Sequence, residues 1–252
     1  MATACGGGGG SSSATTSGGG ATTSASSSGK SFANFRIAYD TGIDFLDPAL
    51  SYTVQGWAIM WNVYLPLLGY KHVNGPDGAT LVPYLAKSLP QVSSDGKTYT
   101  FQLRDGLKYS DGTPIKASDF KSTIERDYAV DSPGVGFFGG IVGADACSSN
   151  PKSCDITGIT ADDASGKITI KLTAPQGDFQ NILATEFAAP LPASTPAKDQ
   201  STTPAPSTGA YMIKSYAPNK QAIVVRNPQW QTNKAAGITA VPDGNPDKMT
   251  ID

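Results

Sequence analysis

SSDGKTYTFQLRDGLKYSDGTPIKASDF, residues Ser93 to Phe120, is the stretch from which the architecture is read. In KTYTFQL, Tyr99, Phe101 and Leu103 share one face of an extended segment while Thr98, Thr100 and Gln102 take the other, as in a strand of a half-buried antiparallel sheet. Turns bracket it. SDGK before the strand, RDG after it and SDGTP further on each place a glycine where a positive φ costs nothing. After Pro114 the period changes, because Phe120, Ile124 and Tyr128 are four apart and Lys121 faces Glu125 across one helical turn. The order is strand, turn, short strand, turn, helix.

Upstream, FRIAY (Phe35–Tyr39) reads as a first strand ended by Asp40–Gly42, and FLDPALSYT as a loop around Pro48. A helix is predicted next, since Trp57, Met60, Trp61, Tyr64 and Leu68 recur at helical spacing, with Pro66 ending it near Leu65. Downstream, KITIKL follows the turn DASG as a strand, and AYMIKSY with AIVVRNPQW forms a hairpin around APNK. The region Pro190–Thr208, rich in Pro, Ser and Thr, reads as an irregular connection between subdomains.

Composition narrows the function classes. The chain has 252 residues, 39% hydrophobic and 16% charged, with a net charge of -2, so it lacks the basic footprint that nucleic-acid binding requires. It has no apolar run of about 18 residues, the length a membrane-spanning helix needs. A different membrane link is expected. ATAC leads to Cys5, and Gly, Ser, Thr and Ala alone fill Gly6 to Gly29, the composition of a flexible tether. Small residues, a cysteine and a tether in that order look like the lipidation end of a bacterial lipoprotein signal, although Ala2 stands where leucine is usual. Cys147 and Cys154 enclose CSSNPKSC. A metal site would want more ligands than one histidine, His72, supplies, so a local disulfide is expected, with Cys5 outside it.

This order of parts resembles the extracellular solute-binding proteins of family 5, the peptide-, dipeptide- and nickel-binding receptors of bacterial ABC importers. LVPYLAKSLPQVSSDGKTYTFQLRDGLKYSDGTPIKASDFKSTIER (Leu81–Arg126), LDPALSYT and STGAYMIKSYAPNKQAIVVRNPQW carry the resemblance, with PSTGAY replacing the family's more usual GTGPY. Gly134–Cys154 is similar to the version in actinobacterial members. The resemblance implies an α/β fold of the type II periplasmic-binding-protein kind. Residues 31–252 are then a first lobe, with a mixed-sheet subdomain (31–55 and 205–252) and a smaller sheet and helix subdomain (56–204). Residues 1–30 are the tether, and the second lobe is absent from the sequence. It also implies a receptor, of which no cofactor or metal is expected, since a single histidine, His72, gives nickel the least support. Such a receptor captures a peptide or other small solute in an interlobe cleft and hands it to permease subunits, held at the outer membrane face by lipid on Cys5.

Within that frame the loop after the first strand, Asp40–Thr53, is the expected ligand edge. Backbone near Thr41, Gly42 and Ile43 is placed to pair with an extended peptide, and Tyr52 and Trp57 to wall a side-chain pocket. Asp40, Asp44 and Asp47 are candidates for a positively charged ligand terminus, or simple turn formers. Two rival classes stand beside the receptor. A secreted glycan hydrolase would use paired carboxylates such as Asp162 with Asp163 or Asp119 with Glu125, and a non-catalytic envelope protein would have no cleft. The last residues, NPDKMTID, resemble the family's strand leaving the first lobe, so the chain is expected to be an amino-terminal portion with weak solute binding by itself.

Overall fold

In the computed structural model, which describes residues 33–252, the Ser93–Phe120 stretch forms the expected strand, turns and helix, but the short strand expected between the turns is reduced to a single bridge of Lys108 with Pro114. The strands are β1 (Phe35–Ile37), β2 (Leu68–Tyr70), β3 (Leu81–Pro83), β4 (Gln91–Val92), β5 (Thr98–Gln102), β6 (Ile159–Asp162), β7 (Lys167–Lys171), β8 (Tyr211–Ala217), β9 (Gln221–Arg226) and β10 (Lys248–Ile251). The helices are α1 (Val54–Met60), α2 (Ala117–Ala129), α3 (Val135–Phe138), α4 (Ala144–Ser149), α5 (Phe179–Ile182) and α6 (Trp230–Ala235). On β5, Tyr99 and Phe101 are buried while Thr98, Thr100 and Gln102 are half-buried. Its neighbours β4 and β7 both run antiparallel to it, and β6 completes a four-stranded sheet in the order β4-β5-β7-β6. Gly96, Gly106 and Gly112 all adopt positive φ, which lets each turn close without side-chain strain.

Helix α2 follows where the period changes. Its first turn is closed reciprocally: the Lys116 amide donates to Asp119 Oδ2 and the Asp119 amide to the Lys116 carbonyl. Phe120, Ile124 and Tyr128 are buried, and Lys121 meets Glu125 at 3.5 Å on the outer face. A second, mixed sheet runs β1-β10-β9-β8, with β1 parallel to β10 and the other pairs antiparallel. The β8–β9 hairpin turns at Asn219, whose φ is 58°. One hydrophobic cluster spans both sheets, from Phe101 and Ile170 through Tyr64 and Phe120 to Ala222 and Val224.

Helix α1 stops at Met60, several residues short of the predicted end near Leu65, and Leu68 opens a strand instead. Hydrogen bonding from afar explains the early stop. The Val63 carbonyl accepts from the amides of Thr208 and Gly209, the Asn62 carbonyl from Tyr211, and the Leu65 amide donates to Thr208 Oγ1. These partners draw residues 62–65 out of the helical path.

The Pro190–Thr208 connection is irregular, yet it is fastened by buried polar contacts. Arg126 of α2 donates to both carboxyl oxygens of Asp47, at 3.0 and 2.6 Å, and also to the carbonyls of Pro196 and Lys198. Asp47 Oδ2 accepts in turn from the Gln200 amide. Both side chains of this pair are buried, at 6% and 0% exposure, so Asp47 is a structural anchor and is withdrawn from the set of ligand-facing acids. The next residue on α2, Asp127, is also fully buried, and neither of its carboxyl oxygens has a hydrogen-bond partner among the described residues.

Cys147 and Cys154 are joined in a disulfide, while Cys5 lies outside the described residues. The crosslink clips α4 to the short turn at Pro151–Ser153. Replacing both cysteines by serine is expected to cost about 2 kcal/mol on the chain-entropy scale for so short a loop. Melting with and without reductant checks this, since the variant should lose the reductant sensitivity of the wild type.

Candidate functional site

The loop from Asp44 to Thr53 is built around one carboxylate. Asp44 Oδ1 accepts from the hydroxyls of Ser51 (2.9 Å) and Thr53 (2.7 Å), and Oδ2 from the Tyr52 amide (2.6 Å). Partial burial would raise its pKa, but these hydrogen bonds outweigh burial and hold the carboxyl below its usual range. Asp44 thus organises the loop from inside, in the manner of a turn former. Thr53 caps α1 by accepting from the Gly56 amide, and the Trp57 indole N–H donates to the Ser51 carbonyl at 2.8 Å. Gly56 is required here, because a Cβ would stand 2.1 Å from Ser51 Oγ.

So fixed, Tyr52 and Trp57 form an aromatic cluster with Phe187. Tyr52 stacks on Phe187 with centroids 6.0 Å apart, and Trp57 meets the same ring edge-on at 5.5 Å. Both line a cavity of about 600 Å³, together with Trp61, Tyr70, Phe137 and Glu186. That volume lies within the range of small-molecule sites, roughly 300–1,000 Å³. Its rim is apolar and open to solvent: Tyr52 is 61% and Val54 83% exposed. Tyr70 donates to Asn181 Oδ1 at 3.0 Å, and Trp61 stacks on His72 at 4.3 Å. His72 is half-buried, and desolvation lowers its pKa.

Thr41, Gly42 and Ile43 lie elsewhere. They line a smaller cavity of about 260 Å³ against the tip of the β8–β9 hairpin, with Asp40, Tyr216 and Asn219. The Ile43 carbonyl accepts from the Tyr216 hydroxyl and Thr41 Oγ1 from Gln55. One expected ligand edge is therefore two cavities that share no lining residue.

Glu186 and Phe187 were missed in the sequence. They sit on a single 3₁₀ turn, Glu186–Ala188, and both are buried. Glu186 Oε2 has no hydrogen-bond partner among the described residues, and burial pushes its carboxyl well above the usual range. A lone acid within the apolar run Ile182–Leu191 was the available signal.

The paired carboxylates weighed for glycan hydrolysis are engaged in structure. Asp162 closes the β6–β7 turn by accepting from Ala164 and Ser165, and Asp163 accepts from the amide and hydroxyl of Ser118. Asp119 holds the start of α2, and Glu125 accepts from the Ile156 amide. Among the described residues no group of three His, Cys, Asp or Glu is arranged to hold a metal ion, and no helix is long and apolar enough to cross a membrane.

Comparison with known proteins places this geometry. The periplasmic oligopeptide-binding protein OppA of Salmonella typhimurium is 32% identical over 158 residues, 59% of this chain and 29% of that protein. The probable D,D-dipeptide-binding periplasmic protein DdpA of Escherichia coli is 28% identical over 198 residues, covering 75% and 35%. Among solved structures, clavulanic acid biosynthesis oligopeptide binding protein 2 superposes with a TM-score of 0.77 at 27% identity, over 88% of this chain and 40% of that one. The chain thus spans between a quarter and a half of the length of these relatives, and shares the type II periplasmic-binding-protein-like α/β fold. Residues 80–249, well over half of the sequence, match the middle region of one family, and the chain belongs to it: the bacterial extracellular solute-binding proteins, family 5.

Proposed function

We propose that the protein is the substrate-binding receptor of a bacterial ABC importer. It captures an extracellular peptide in a cleft of which the aromatic cavity forms one wall, and delivers the peptide intact to permease subunits. A lipid on Cys5 and the Gly/Ser/Thr tether hold it at the outer face of the cytoplasmic membrane. The observation that carries this reading is the family match over residues 80–249, which contain Phe137, Asn181 and Glu186 of the cavity. Relatives named for oligopeptide and dipeptide binding support the peptide as ligand. The backbone around Thr41, Gly42 and Ile43 is a second proposed contact, through strand-like pairing with the peptide.

Calorimetry with alanine tri- and tetrapeptides, on protein expressed from its full reading frame, is expected to show saturable binding. The peptide should be recovered uncleaved. Trp57→Ala should weaken binding about tenfold or more, as for a buried aromatic anchor. Cleavage of the peptide, or binding indifferent to Trp57, would count against the proposal.

A further inference from the structure

The aromatic cavity contains one group that an apolar occupant would leave unserved. Its lining is Tyr, Trp, Phe, Thr, Val, Ala and Asn apart from Glu186, and it holds no lysine or arginine. Glu186 is 4% exposed, and its Oε2 finds no donor among the described residues. A buried carboxyl without a donor is costly, and a positive charge seated in the adjoining cavity offsets part of that cost. The rings around it add a preference of their own, since the faces of Trp and Tyr attract cations. Tyr52 and Trp61, 61% and 39% exposed, leave ring surface open to an incoming group.

We propose that Glu186 is the counter-charge for an organic cation, a guanidinium or ammonium borne by the bound solute and seated among Tyr52, Trp57 and Trp61. This deepens the receptor reading and rests on it for the kind of solute. The titratable groups near Glu186 are Tyr84, whose phenol feels the Glu186 charge, and His72, whose Nε2 lies 2.9 Å from the Tyr84 hydroxyl. The phenols of Tyr52 and Tyr70 line the same cavity. Helix α2 packs against the Glu186 turn and carries Arg126, taken up by Asp47, and Asp127. None of these opposes the effect of burial on Glu186. A cation would draw the carboxyl into its ionised form, so cation affinity rises with pH until Glu186 is fully ionised and then levels off.

The test uses two matched probes, N-acetyl-arginine methylamide and its neutral isostere N-acetyl-citrulline methylamide, with tryptophan fluorescence as readout. Trp57 and Trp61 line the cavity and report occupancy directly. The arginine probe is expected to bind at least about tenfold more tightly than the citrulline probe, with affinity rising with pH. Glu186→Gln, which keeps shape and removes the charge, should abolish both the preference and the rise. Equal affinity of the two probes, failure of both to saturate, or an unaltered preference in Glu186→Gln would each overturn the proposal. The wild-type comparison stands even if the variant folds poorly. Tetraalanine separates this inference from its parent. A protein that binds tetraalanine but treats the probes alike keeps the peptide reading and loses this one. One that binds only the arginine probe does the reverse.

Discussion

Replacing Arg126 by alanine is expected to destabilise the fold by about 3–5 kcal/mol, the usual consequence of removing one partner from a buried ion pair. The change strands the Asp47 carboxylate at 0% exposure and removes donors from the carbonyls of Pro196 and Lys198. For a unit of this size the melting temperature should fall by about 10 °C. The double variant Asp47→Leu/Arg126→Leu should lose clearly less than the sum of the two single changes, because it leaves no charge behind. Thermal melts of these variants check this; an Arg126→Ala protein that melts with the wild type would show that the Pro-rich connection is held by other contacts.

The second large effect concerns Asp127, one residue along the same helix. Burial raises its pKa well above the ordinary value, the Arg126 charge works against this, and the Asp47 charge adds to it. An acid whose folded pKa is raised binds its proton more tightly in the folded state. Stability therefore declines as pH climbs from the unfolded carboxylate value, 3.8, toward the raised folded value. The loss is about 1.4 kcal/mol for each pH unit crossed. Glu186 contributes in the same direction. Asp127→Asn should accordingly melt close to the wild type near pH 4 and well above it at neutral pH. A gap between the two proteins that stays constant across that range would mean that Asp127 titrates normally.

The parts of the fold written into local pattern were legible. Alternation set the faces of β5, glycines at positive φ set three turns, and the spacing of Phe120, Ile124 and Tyr128 set the buried face of α2. Each is decided by neighbours within a few residues. What was not legible depends on distant partners. The end of α1 is set by hydrogen bonds from residues 208–211, and Asp47 owes its role to Arg126, far along the chain. Tyr52 and Trp57, which line the aromatic cavity, stood out because aromatics beside a loop are conspicuous. Their separation from Thr41, Gly42 and Ile43 was hidden, since it turns on where the β8–β9 hairpin tip lies. Phe187 and Glu186 sit on one short turn, where no periodicity marks them.

The parallel pairing of β1 with β10 has a consequence for how the chain is made. Phe35, Arg36 and Ile37 pair with Met249, Thr250 and Ile251, and Arg36 meets the Asp252 carboxylate at 2.5 Å. On an emerging chain, β1 is synthesised long before its partner exists, whereas the β8–β9 hairpin can close as soon as its own residues appear. The mixed sheet therefore cannot be completed before β10 is made, and it closes by a contact of very high sequence separation; such contacts slow folding. Throughout that interval β1 is an unpaired edge, with Phe35 among its residues. Three residues are a short template for pairing with another chain, which limits the hazard of the wait.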